Sequence, residues 1–141
     1  MNIITLDFET YYAKDFSLTK LTTEEYIRDE RFEVIGVAVK EGEGKTTWYS
    51  GDKEYISNCL NSYDWANSAL LAHNTSFDGA ILSWHFGIKP KAILDTLCMA
   101  RAFHGVDAGG SLSALVERYQ LGRKGTEVLD AIGKYRKDFT E

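Results

Sequence analysis

Asp7 and Glu9 stand two residues apart in the opening stretch LDFET, and Asp78 closes a second stretch, AHNTSFD. In a strand, side chains at i and i+2 share a face, with Cα atoms roughly 6.5–7 Å apart. Two carboxylates so placed repel each other where water is scarce. Protonation or a cation relieves that repulsion. Hard divalent ions such as Mg²⁺ or Mn²⁺ take oxygen ligands. A pair of such ions, typically about 3.5–4 Å apart, can share one carboxylate and be flanked by others. The chemistry on offer is metal-assisted hydrolysis. Each acid also has a plainer reading. Asp-x-Glu is common on the solvent face of a strand, and an acid in a helix's first turn is favoured there by the helix dipole. Convergence of the two stretches at the rim of one sheet is what would make them a site.

The elements that must position these acids are legible from period and punctuation. NIITLDFE alternates, with Ile4, Leu6 and Phe8 on one face and Asp7 and Glu9 on the other, and reads as a strand. Thr22 before Glu25 has capping-box spacing and opens a short helix. FEVIGVAVKE is a buried strand, turned by GEG into the strand KTTWYS. Asp52 starts a helix predicted to run to about Ala66, with Tyr55, Ile56, Cys59, Leu60 and Tyr63 at helical spacing. SALLAHN is a further buried strand, closed by Asn74. SFDGAILSWHFG is a helix stopped by Gly87, whose Phe77, Ile81 and Trp84 form an apolar stripe of the kind usually found in a core. KAILDTLCMARAFHG is a short strand entering a helix near Asp95. SLSALVERYQLG is a helix capped by Ser111 and ended by Gly122, and the tail is polar with a weaker helical pattern. Three strands in a meander, then crossovers through helices, predict an α/β fold: a mixed sheet, antiparallel then parallel, with helices on both faces.

LDFET and AHNTSFD resemble the first and second motifs of the 3′→5′ exonucleases of the DEDD (DnaQ-like) superfamily. They are most similar to the proofreading domains of bacterial and phage family A DNA polymerases. LDTLCMA and SLSALVERYQL resemble the strand and helix that follow, so the likeness covers essentially the whole chain. The resemblance implies a ribonuclease-H-like fold and two-metal hydrolysis of the 3′-terminal phosphodiester of single-stranded DNA. It implies that Asp7 bridges two divalent cations, that Glu9 binds one of them, and that Asp78 holds the second. Thr10 matches a position that binds the terminal nucleotide, and Asn74 and Phe77 match positions that orient the strand and pack beside the site. The implied partners are a single-stranded DNA 3′ end and the polymerase domain or remaining exonuclease segment of a parent protein.

The family's third motif, Tyr-x-x-x-Asp or His followed five residues later by Asp, has no counterpart at the expected place. Tyr135 leads to Phe139, Tyr119 to Arg123 and His104 to Gly109. Tyr11 with Asp15 and His73 with Asp78 have the spacings but belong to the first two motifs. The expectation is a domain over residues 1–141 that stops before its last acid and is weakly active or inactive alone. An activating Tyr or His typically contributes about 10²–10⁴ to rate. Other candidates have plainer alternatives. Asp95 could support the site or cap a helix. His104 could approach substrate from its loop, while His85 is placed for packing. Arg101, Arg118, Arg123 and Lys124 could meet phosphates, or form a solvated charge cluster. Trp48, Trp65 and Trp84 could stack bases, with core or hairpin packing the alternative.

The net charge of −5 argues against a surface held to DNA by counterion release alone, but leaves room for a nucleic-acid enzyme whose positive charge arrives as metal ions. The two cysteines, Cys59 and Cys98, lack metal-ligand spacing and suit a reduced, cytoplasmic setting in a bacterial or phage-infected cell. No apolar stretch approaches the length of a membrane span. Two other readings compete: a non-catalytic fragment that binds or scaffolds a polymerase partner, and a free-standing exoribonuclease that trims short RNA.

Overall fold

The computed structural model describes residues 1–122 and 132–139. Its centre is β1 (Asn2–Thr10), third in a five-stranded sheet of order β3-β2-β1-β4-β5. β2 (Val34–Glu41) and β3 (Thr46–Ser50) form the antiparallel half, and β4 (Ser68–Ala72) and β5 (Ala92–Asp95) the parallel half. The predicted meander and crossovers are therefore present. β1 alternates as its sequence requires, with Ile4, Leu6 and Phe8 buried and Thr5 and Asp7 exposed. Across the ladder Leu6 faces Val39 and Phe8 faces Val37.

The core lies on that inward face. α1 (Thr23–Arg28), α2 (Lys53–Asn61) and α3 (Thr75–Phe86) press Ile27, Ile56, Leu60, Ile81 and Leu82 against it. α4 (Thr96–His104) and α5 (Leu112–Arg118) bury Ala100 and Leu115 outside this core. The capping box at Thr22 and Glu25 forms as spelled, and Gly87 ends α3 in the left-handed conformation, at φ 65°. Trp65 is a core residue whose indole N–H donates to the Leu60 carbonyl at 2.8 Å. Among the described residues no helix is long and apolar enough to cross a membrane.

Three boundaries differ from expectation, and at the first of them side chains compete for the backbone. α2 ends at Asn61, not Ala66. The Ser62 N–H and hydroxyl both return to the Cys59 carbonyl, and Asn61 donates to the Ser57 carbonyl. Residues Trp65–Asn67 then make a separate 3₁₀ turn. α5 ends at Arg118, before Gly122, with Gln120 already at φ 54°. β4 closes at Ala72, and Asn74 is the left-handed cap residue of α3. Trp84 departs from the core reading too: it is 43% exposed, with the Arg28 guanidinium 4.0 Å above its ring.

Trp48 takes the hairpin-packing role by lying over Gly36. A Cβ at Gly36 would fall 2.3 Å from the Trp48 ring and 2.9 Å from the Tyr49 carbonyl oxygen. The half-exposed ring can swing, but the backbone oxygen cannot. Gly36→Ala is therefore expected to cost about 1–2 kcal/mol in urea unfolding. An unchanged midpoint would mean that the hairpin accommodates the methyl without strain.

Candidate active site

β1 delivers the first two acids and α3 the third. Asp7 is exposed and Glu9 half-buried, both off the core face, while Phe8 between them stacks on Phe86 with ring centroids 5.8 Å apart. The register with β2 slips between Glu9 and Thr10, a bulge that re-aims the strand end. Pairing of β1 with β4 stops at Thr5 opposite Leu71, so the Phe8 N–H lies beyond that ladder. Asp78 takes it: Oδ1 accepts the Phe8 N–H at 3.0 Å. Asp78 is only 3% exposed, and this bond clamps the first turn of α3 onto β1.

Burial pushes the Asp78 carboxyl up from its ordinary 3.8 to about 7. The Phe8 N–H opposes that rise, and the negative charges of Asp7 and Glu9 add to it. The three acids are thus one electrostatic unit although they come from two elements. The bond to the Phe8 N–H sets Asp78 against the strand that carries Asp7 and Glu9.

The neighbouring residues are held by other groups. Thr10 shares a hydrogen bond with the Tyr26 hydroxyl at 2.8 Å, and Tyr26 in turn donates to the Tyr11 carbonyl. Phe77 is half-buried and packs near the same Tyr26 ring, centroids 6.1 Å apart, against the core. Asn74 accepts from the Ser76 hydroxyl at 2.7 Å and makes no side-chain cap of its own.

Asp95 supplies that cap from β5. Its Oδ1 accepts the Asn74 N–H at 3.0 Å, and its Oδ2 accepts the Thr75 N–H and hydroxyl, each at 2.9 Å. The same carboxylate caps α4 through the Leu97 N–H at 2.9 Å and the Cys98 N–H at 3.4 Å. Burial raises its carboxyl, but the donors from Asn74, Thr75 and Leu97 outweigh burial and hold it at about 2. The helix-capping alternative for Asp95 is thus realised at two helices.

Other candidates are placed elsewhere. His104 ends α4, nine residues and roughly 13 Å of helix from Asp95, and its ring nitrogen bonds the Tyr119 hydroxyl. The structure does not bring it to the acids. His85 packs as expected, stacked on Phe32 and bonded to the Ile27 carbonyl at 2.9 Å. The Arg118 guanidinium donates to the Ala108 carbonyl, Arg101 is exposed on α4, and Arg123 and Lys124 lie outside the described residues. His73 was missed by sequence reasoning. Its ring ties Thr96 Oγ1 and the Gly110 carbonyl together, each at 2.8 Å, joining the end of β4 to α4 and the approach to α5. In the sequence it stands out only by its spacing to Asp78 within the second motif, and nothing local signals its ties to Thr96 and Gly110.

The acids fit a hard divalent cation in donor chemistry and in charge, since three carboxylates in mutual repulsion gain from a positive centre. They are not closed around one point: among the described residues no three His, Cys, Asp or Glu side chains form a ready metal-holding group. An open groove of about 560 Å³ runs beside the α3 N-terminus, walled by Thr75, Asp95, Ile93 and Met99, and does not include Asp7 or Glu9.

No protein-family model and no curated protein matches the chain. Solved structures do. Brucella melitensis NrnC with bound Mg²⁺ is similar at TM-score 0.65 and 15% identity, over 88% of this chain and 56% of that one. Trypanosoma brucei RNase D in complex with RNA U12 is similar at TM-score 0.66 and 15% identity, over 93% of this chain and 44% of that one. Escherichia coli RNase D, an exoribonuclease involved in structured RNA processing, is similar at TM-score 0.57 and 14% identity, over 96% of this chain and 33% of that one. This chain thus spans about half the length of the NrnC chain, and less of either RNase D. What the likeness establishes is the fold: a ribonuclease-H-like mixed sheet, with the acid-bearing strand at its centre.

Proposed function

We propose that this chain is a metal-dependent 3′→5′ exonuclease module that trims the end of a single nucleic-acid strand. The observation that carries the proposal is the buried Asp78 carboxylate, clamped to the Phe8 N–H and raised further by the charges of Asp7 and Glu9. Asp7, Glu9 and Asp78 would hold two divalent cations, Mg²⁺ or Mn²⁺. When bound, such ions supply a water of lowered pKa and stabilisation of the leaving 3′ oxygen. The chain's own residues do the rest. Asp95 fixes the first turn of α3, so the position of Asp78 does not depend on a loop. Thr10 would bind the terminal nucleotide, partly through its backbone, Asn74 would orient the strand, and Phe77 would pack beside them.

Trimming of short RNA is the favoured form of this reading. Solved structures similar to this chain include an RNase D holding RNA and an RNase D described as an exoribonuclease. Proofreading beside a DNA polymerase rests on the motif resemblance alone. The acid of a third motif has no counterpart in these residues, so full activity is proposed to need a segment supplied from elsewhere in a parent protein or by a partner. Calorimetric titration with Mn²⁺ tests the site: Asp7→Ala should weaken binding at least about tenfold, as loss of a direct ligand requires. Equal binding in both proteins would sink the site. Parallel degradation of matched RNA and DNA oligonucleotides tests the substrate, because the 2′-hydroxyl is the feature to be read.

A further inference from the structure

The polar tail docks against the strand end that carries the acids. Gly133 donates its N–H to the Tyr12 carbonyl at 2.6 Å, and Tyr135 stacks on Tyr11 with ring centroids 3.8 Å apart and planes 7° apart. Arg136 is fastened twice, its N–H to Glu33 Oε1 at 2.7 Å and its Nη1 to the Gly51 carbonyl at 2.8 Å. Asp138 turns back to accept the Tyr135 N–H at 2.9 Å. Glu33 and Asp138 thus each accept a backbone N–H of the tail. Tyr11 lies two residues beyond Glu9, roughly 7 Å of extended chain.

Lys134, Arg136 and Lys137 fall within four consecutive positions of a chain whose net charge is −5. Lys134 and Lys137 are exposed, and Lys137 Nζ stands 6.0 Å from the Tyr135 ring centroid. Among the described residues the ion pairs are Arg28–Glu24 and Arg31–Asp29, and neither lysine belongs to them. An acidic protein repels a polyanion over most of its surface. A strip of exposed ammonium groups is where a phosphate chain would be held.

We propose that residues 133–137 form a phosphate-binding strap for the single strand, upstream of the nucleotide being removed. Lys134 and Lys137 meet phosphates there, and Tyr135 anchors the strap by its stack on Tyr11. The strap rests on the nuclease reading above, and places ammonium groups on the tail that docks against the acid-bearing strand end. Because phosphates carry no sequence information, the strap would hold any single strand in register without choosing among bases.

The test is fluorescence anisotropy of a fluorescein-labelled oligouridylate of about eight nucleotides over a series of salt concentrations, in EDTA so that no bond is cut. Each phosphate contact on a single strand contributes about 0.7 to the slope of log affinity against log salt. Lys134→Ala/Lys137→Ala should therefore lower that slope by about 1.4 and weaken binding about tenfold at low salt, with an unchanged melting temperature. Tyr135→Ala should lose the same part of the slope, and Tyr135→Phe should keep it. Binding with an unchanged slope in the double variant overturns the strap and leaves the nuclease reading standing. No binding by the wild-type chain also overturns the strap, and the Mn²⁺ titration of Asp7→Ala then judges the acid site independently.

Discussion

Asp78→Asn is expected to stabilise the metal-free protein at pH 8 by on the order of 4 kcal/mol, since each tenfold change in proton affinity is worth about 1.4 kcal/mol. The sign follows from where the proton sits. The folded carboxyl titrates at about 7, against 3.8 ordinarily, because it is buried and has Asp7 and Glu9 for company. Between about pH 4 and pH 7 the folded state holds a proton that the unfolded chain releases. The stabilisation is thus fully present below pH 4 and is lost as pH rises through 7. An amide removes that penalty and keeps an oxygen for the Phe8 N–H. Urea unfolding in EDTA at pH 4 and pH 8 reads the effect: wild type should lose stability across the interval and the variant should not. The same variant should lose most of the Mn²⁺-induced rise in melting temperature. Parallel pH profiles would show that Asp78 is not buried as a charge, and would remove the main support for the site.

Asp95→Ala is expected to destabilise by about 3–4 kcal/mol. One carboxylate accepts from Asn74, Thr75, Leu97 and Cys98, and its loss leaves two helix starts without a partner at once. Asp95→Asn should recover part of the loss, since only one of its two terminal atoms can accept. The pH sign is opposite to that of Asp78. A carboxyl held at about 2 contributes stability above pH 4 that is lost as pH falls toward 2. Wild type should therefore weaken on acidification below pH 4 more than Asp95→Ala does. A cost below about 1 kcal/mol would mean that water replaces the carboxylate at both helix ends.

What was legible in the sequence was what neighbouring residues decide among themselves. The alternation of Ile4, Leu6 and Phe8, the box between Thr22 and Glu25, and the stop at Gly87 are all local, and all are realised. The antiparallel meander followed by parallel crossovers was legible as well, because strands and helices alternate along the chain in that sequence. The early end of α2 was harder, since Ser62, Asn61 and Trp65 compete for carbonyls that a hydrophobic pattern assigns to the helix. Asp78 shows the limit most plainly. As an acid in a helix's first turn it reads as a solvated dipole partner, and its burial arises only because β1 passes over it. The stack of Tyr135 on Tyr11 likewise joins residues that no local pattern connects.

The cap that Asp95 provides has a consequence for the order of assembly. Asn74 and Thr75 begin the acid-bearing helix, but the oxygens that fasten them arrive 21 and 20 residues later in the chain. A nascent polypeptide that has emerged only as far as β4 and α3 already contains Asp7, Glu9 and Asp78 and the Phe8 N–H that clamps the third, yet it lacks the carboxylate that caps the start of α3. The two backbone N–H groups that open α3 therefore find their acceptors only when the last strand adds itself to the sheet edge.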